Sequence, residues 1–210
     1  MLYARVRPRI DREALERVLA GDVGDPAGRP PWARRLGLAP SDEPLFFGQG
    51  RQALHWLLRG LRSGGPLRVG VQAFTCDVVV QAVLESGNTP VLLDVAPEHF
   101  SIAGPGAVPA GLDVLVLTHL FGLCNPRYEA IAGHCARHGI VLVEDLAITP
   151  DAAHAGVRVG SLADAAFYSF GFDKPVSCHE GGMLVLRSQR LGPLAAGFED
   201  LPCEPEARED

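Results

Sequence analysis

Between residues 67 and 187 the chain repeats one pattern, an apolar run of strand length followed by a stretch with helical spacing. The apolar runs are LRVGVQA (67–73), PVLLDV (90–95), DVLVLTHL (113–120), IVLVED (140–145), AAFYSF (165–170) and GMLVLR (182–187). Between them, CDVVVQAVLESG (76–87) and PRYEAIAGHCARHG (126–139) place apolar residues at helical intervals. Most of the short runs are apolar throughout rather than in alternation, as in strands buried on both faces of a parallel sheet. Ahead of the first run, a glycine-punctuated loop, FFGQGR, opens a further helix, QALHWLLRGLR, which stops at Ser63-Gly64-Gly65. This alternation predicts an open α/β sheet, mostly parallel, with helices on both faces.

The flanks read differently. Residues 10–20, IDREALERVLA, set Ile10, Leu15, Val18 and Leu19 at helical spacing, and the Gly- and Pro-rich stretch Gly21 to Pro31 then reads as a flexible lead-in. The expected division is an N-terminal helix and lead-in over 1–44, an α/β body over 45–190, and an acidic tail over 191–210 without strong periodicity.

Composition narrows the class. The chain has 210 residues, 47% hydrophobic and 21% charged, which excludes a wholly disordered protein. A chain this long buries roughly 70% of its unfolded surface and needs no disulfide or metal staple. A net charge of −6 argues against a nucleic-acid or anionic-membrane partner. The five cysteines lack framework spacing, the N-terminus lacks a signal-peptide apolar region, and no apolar run is long enough to span a bilayer. The expectation is a soluble, reduced, cytoplasmic protein.

In an open α/β sheet, ligands bind at the carboxyl ends of the strands. Those ends carry Phe74-Thr75-Cys76, Phe121-Gly122, Asp145 and Ser169. Lys174, five residues past Ser169, is the only lysine; the other eighteen basic residues are arginine. Its bland reading is a surface lysine. Its neighbours Gly171, Phe172, Pro175 and Val176 are not a charged face, however, and a lysine in a partly apolar site readily becomes a Schiff-base nucleophile. Asp145 is either the N-cap of a following helix or a carboxylate that keeps a cationic ligand atom charged. Ser169 is either a cap or a hydroxyl for a phosphate. The Gly48-Gln49-Gly50-Arg51 loop offers amides, a helix dipole and a guanidinium to an anion. His134 and His138 stand at i, i+4 on one helix, but further ligands at fixed spacing are lacking, so no metal site is expected.

Taken together, these residues resemble the pyridoxal-phosphate-dependent sugar aminotransferases of the DegT/DnrJ/EryC1/StrS family, of fold-type I. The resemblance runs from about Leu45 to Arg187. It rests most on Gly160-Ser-Leu-Ala-Asp164, Phe167-Tyr-Ser169-Phe170, Lys174 and Glu180-Gly181-Gly182. Val143-Glu144-Asp145-Leu-Ala147, Thr118-His119-Leu120-Phe121-Gly122 and Pro90-Val91-Leu-Leu-Asp94-Val95 support it in order. It implies that Lys174 forms the Schiff base with the cofactor aldehyde and then moves the proton. It further implies that Asp145 pairs with the pyridinium nitrogen, and that Ser169 and the Gly50-Arg51 region hold the phosphate. Phe74 would stack on one ring face and Ala147 would pack beneath the other.

The implied substrates are a keto-sugar nucleotide and an amino donor, glutamate, with a homodimer or a heteromer with a complementary subunit as the working unit. Two residues depart from the family pattern. Arg51 stands where a threonine is usual, and Ile148 where a glutamine or histidine is usual. Retention of Lys174 favours transamination over the dehydratase chemistry of relatives that carry histidine there. The chain also stops before the C-terminal small domain of the family. That supports an alternative expectation, a truncated, non-catalytic relative that binds the cofactor or serves as a scaffold for a full-length or complementary subunit.

Overall fold

The computed structural model describes residue 33, residues 36–39 and residues 42–197. The helix expected over 10–20 and the lead-in after it lie outside the described residues. Within them the chain runs β1 (Pro44–Phe47), α1 (Gly50–Gly60), β2 (Arg68–Gln72), α2 (Asp77–Glu85) and β3 (Thr89–Leu93). It continues through β4 (Val114–Thr118), α3 (Tyr128–His138) and β5 (Val141–Asp145) to a small hairpin of β6 (Ala153–His154) and β7 (Val157–Arg158). The last elements are β8 (Ala165–Ser169), β9 (Gly182–Leu186) and α4 (Gly192–Ala196).

Seven strands form one sheet in the order β1-β9-β8-β5-β4-β2-β3. The pairs from β8 through β3 are parallel, while β9 runs antiparallel to both β8 and β1. This is the mostly parallel α/β sheet that the apolar runs predict, and all six runs are strands. Strand β1 is an addition, since the FFGQGR segment reads as loop from sequence. The described part of the expected tail holds α4.

Side-chain alternation divides the core into two layers. On β4, Val114 and Val116 pack with Ala53, Leu54, Leu57 and Leu58 of α1 and with Val79, Ala82 and Val83 of α2. Leu115 and Leu117 point the other way, to Tyr128, Ile131 and Cys135 of α3. A strand buried on both faces has no polar face to show, which is why these runs are apolar throughout. The ends of the helices follow local chemistry. Gln49 and Gln52 form a capping box at the start of α1, the Gln49 amide donating to Gln52 Oε1 at 3.0 Å. Gly139 ends α3 in the left-handed conformation, φ 70°.

After β2 the chain goes outward to the edge strand β3, then returns across β2 to β4. The order therefore reverses between β2 and β4, where the loops leaving adjacent strands part and leave a crevice at their carboxyl ends.

Candidate functional site

A cavity of about 430 Å³ opens at those carboxyl ends, on the face covered by α1 and α2. Asp145, the last residue of β5, shares that face with Val143, which packs against the α1–α2 layer. Its neighbour Glu144 faces the α3 layer instead, where His119 Nε2 (2.7 Å) and the Tyr128 hydroxyl (2.6 Å) donate to it. Asn125 N–H donates to His119 Nδ1 at 3.3 Å, so the ring proton sits on Nε2, toward Glu144. Two adjacent carboxylates thus have separate roles because successive side chains of a strand point to opposite faces.

Asp145 is 4% exposed. Its Oδ1 accepts the Ala147 amide at 3.0 Å and its Oδ2 accepts the Thr118 hydroxyl at 3.4 Å. Burial pushes its carboxyl above the usual range, while the Ala147 amide, the Lys174 charge and the Thr118 hydroxyl act in the opposite direction. Among the described residues no cation forms a salt bridge with it. The helix-cap alternative does not hold, because no helix follows; the Ala147 bond closes a local turn instead.

Lys174 lines the same cavity from the loop between β8 and β9. Its amide donates to the Gly171 carbonyl at 3.0 Å, and its side chain is only 19% exposed. Nζ lies 3.4 Å from Oδ2 of the exposed Asp173. The lysine is therefore sheltered and held by a solvent-facing partner that a ligand can displace.

The corner of the cavity at the start of α1 is built by close packing. Ser169 ends β8 on the cavity face, against Gly50 at the start of α1. A Cβ on Gly50 would sit 3.0 Å from both Ser169 Cβ and the Tyr168 carbonyl. A Cβ on Gly182 would land inside the backbone of Gln49 and Gly50. Both glycines are needed to bring the helix start onto the sheet. The amides of Gly50 and Arg51 have no acceptor within their own helix, and both residues line the cavity at the positive helix end. The Arg51 guanidinium lines it as well, oriented by its Nε–H bond to Gln49 Oε1 at 2.5 Å.

The structure therefore brings together Lys174, Asp145, Ser169, Gly50, Arg51 and Ala147 around one cavity. Phe74 is not on its wall. It is 47% exposed and packs beside the mouth with Phe100 (ring centroids 5.5 Å apart) and Phe121 (6.4 Å). The side chains of strand-end neighbours diverge, and Thr75 rather than Phe74 reaches the cavity. Ile148 is on the wall, so the site keeps an apolar side chain where the family pattern is polar.

Sequence reasoning did not single out the hydroxyl pair Thr75 and Thr118, whose Oγ1 atoms lie 3.2 Å apart. Thr118 shares a strand face with Val114 and Val116 and is paired in register with Asp145, so alternation on β4 was the available signal. Behind it, the buried Gln72 Oε1 accepts both the Thr118 amide (3.1 Å) and the Ser101 hydroxyl (3.0 Å). The cysteines Cys124 and Cys135 are buried, their thiols pushed up to about 11, chiefly by burial. His134 and His138 stack at 4.1 Å, with His138 Nδ1–H bonded to the His134 carbonyl. Among the described residues no helix is long and apolar enough to cross a membrane.

A sheltered lysine, a buried carboxylate and an anion-ready helix start at the switch point of a mostly parallel sheet define an α/β protein of the fold-type I transferase class. Residues 44–208 match the model of the DegT/DnrJ/EryC1/StrS aminotransferase family, and the chain belongs to that family. Over 149 residues it is 33% identical to the pleiotropic regulatory protein of Geobacillus stearothermophilus, covering 69% of this chain and 40% of that one. Over 168 residues it is 30% identical to UDP-N-acetyl-3-dehydro-alpha-D-glucosamine 3-aminotransferase of Acidithiobacillus ferrooxidans (78% and 45%). Among solved structures, Helicobacter pylori PseC, an aminotransferase involved in the biosynthesis of pseudoaminic acid, superposes with a TM-score of 0.75 at 20% identity. The match covers 99% of this chain and 58% of PseC. The chain thus spans less than half the length of these curated relatives. Aminotransferases of this family depend on pyridoxal phosphate.

Proposed function

We propose that this chain binds pyridoxal phosphate in the cavity and acts as an aminotransferase, moving an amino group from glutamate to a keto-sugar nucleotide. The observation that carries the reading is the only lysine of the chain lining one cavity with a buried aspartate and the start of α1. The residues fit the group. Asp145 has a carboxylate facing the cavity without a salt-bridge partner among the described residues, which suits a protonated ring nitrogen. Ser169, the amides of Gly50 and Arg51 and the Arg51 guanidinium offer donors to a phosphate dianion, Arg51 in place of the usual threonine.

When bound, pyridoxal phosphate supplies an aldehyde that condenses with amines and a ring that takes up an electron pair. Lys174 Nζ would hold the cofactor aldehyde and would serve as the base that moves a proton at the amine-bearing carbon of the substrate. Asp145 would keep a ring nitrogen protonated, and the Ala147 amide and Thr118 hydroxyl fix its two oxygens. Ala147 and Ile148 would offer the ring an apolar wall. Phe74 stands beside the mouth against Phe100 and Phe121 and has no stacking role in this reading. Sugar aminotransferases among the relatives support the substrate class.

A second reading is a cofactor-binding relative without turnover that serves a partner subunit. The likeness to a protein named for regulation favours it. One experiment separates the two. Protein loaded with pyridoxal phosphate is mixed with glutamate, and 2-oxoglutarate is measured in a single turnover. The aminotransferase reading expects about one equivalent from wild type, none from Lys174→Ala, and release slowed by about 100-fold or more in Asp145→Asn. Retained cofactor without 2-oxoglutarate would contradict catalysis and leave the regulatory reading.

A further inference from the structure

Among the described residues, nine positive-φ positions are held by glycine and four by other residues: Phe100, Phe121, Ala155 and His179. Of those four, only His179 lines the cavity. Its φ of 76° lies in the left-handed region that a Cβ disfavours. The surrounding loop imposes that geometry. The Cys178 amide donates to the Phe170 carbonyl at 2.9 Å, and the Phe170 amide donates to the Gly181 carbonyl at 2.9 Å. The His179 amide itself donates to Ser177 Oγ at 3.3 Å.

The imidazole gains nothing in return from the protein. It is exposed and has no hydrogen-bond, ion-pair or ring partner among the described residues. A side chain kept in a strained conformation without an internal partner points to an external one. The rim around it is rich in acceptors, with Asp173 and Glu180 on the same wall. Carboxylates repel an anion, yet accept from hydroxyl groups, and an imidazole both donates and accepts.

Resting on the proposed function, we propose that His179 is a substrate-specificity residue that hydrogen-bonds the hydroxyl groups of the sugar ring at the cavity mouth. It meets the sugar, while the cofactor phosphate is held at the α1 corner.

The test uses the full chain loaded with pyridoxal phosphate and two probes, UDP and UDP-N-acetylglucosamine, titrated by calorimetry. In wild type the sugar nucleotide binds more tightly than UDP. His179→Gly loses about fivefold of that ratio, the size of one hydrogen bond, while UDP and cofactor affinities stay unchanged. Because glycine accepts the left-handed backbone, the same variant melts about 2 °C higher. His179→Ala loses the same ratio without the gain in melting temperature, which separates lost contact from relieved strain. An unchanged ratio in both variants, or equal affinity of wild type for the two probes, overturns the assignment. The cofactor absorbance band is read in the same samples. Its absence from wild type would overturn the proposed function and this assignment together, whereas a normal band with an unchanged ratio overturns this assignment alone.

Discussion

The Asp145 carboxyl is the residue whose environment matters most to the chemistry. Burial raises its titration above the ordinary value of 3.8, which it keeps in the unfolded chain. Between those two values the folded protein holds more protons than the unfolded one. Stability of the cofactor-free protein therefore falls as pH rises from about 4 through the raised value. Asp145→Asn removes this dependence. Urea melts of cofactor-free protein at several pH values are expected to show a flatter slope for the variant. Near neutral pH the variant should melt higher than wild type. Its affinity for pyridoxal phosphate is expected to fall. Identical slopes in the two proteins would contradict the burial argument. At this scale the placement of Lys174, Asp145 and Ser169 on one cavity was legible because each stands at a strand end or in the loop that follows. The placement of Phe74 was not, because which of two adjacent strand-end side chains turns inward depends on packing against Phe100 and Phe121.

At the level of elements, the site depends on how closely the start of α1 approaches β8 and β9. Gly182→Ala puts a methyl group into the Gln49–Gly50 backbone, which cannot move without dragging the helix start away from Ser169. The expected cost is about 1–3 kcal/mol in stability, with cofactor affinity reduced because the amide corner opens. Thermal melts and a cofactor titration check both, and unchanged affinity would show that the corner does not hold the phosphate. The six apolar runs and three helices were readable because continuous apolarity and 3.6-residue spacing report burial directly. Strand β1 was hidden because its four residues sit beside glycine-rich loop sequence and only gain a partner, β9, from the far end of the fold. For the same reason, Thr118 looked like part of a motif until its register with Asp145 put it on the cavity wall.

For the whole molecule, the two core layers tie the site to global stability. Leu57 is fully buried between α1 and the sheet, so Leu57→Ala is expected to cost about 2–5 kcal/mol and to weaken the cofactor site that α1 carries. Beside the cavity mouth, Phe74, Phe100 and Phe121 leave an exposed aromatic cluster, two of its members at positive φ. With the family's implied dimer or heteromer in mind, we expect the chain to self-associate or to take a partner there. Sedimentation at rising concentration should show association that Phe121→Asp weakens, and a monomer throughout would contradict it. The central claim is that Lys174 carries pyridoxal phosphate, and one measurement addresses it most directly. Protein is incubated with the cofactor, desalted, scanned for a near-visible absorbance band, reduced with borohydride and mapped by peptide mass. The account predicts a retained band and a cofactor mass fixed on Lys174, both lost in Lys174→Ala. A folded wild-type protein with no band and no modified lysine would contradict it.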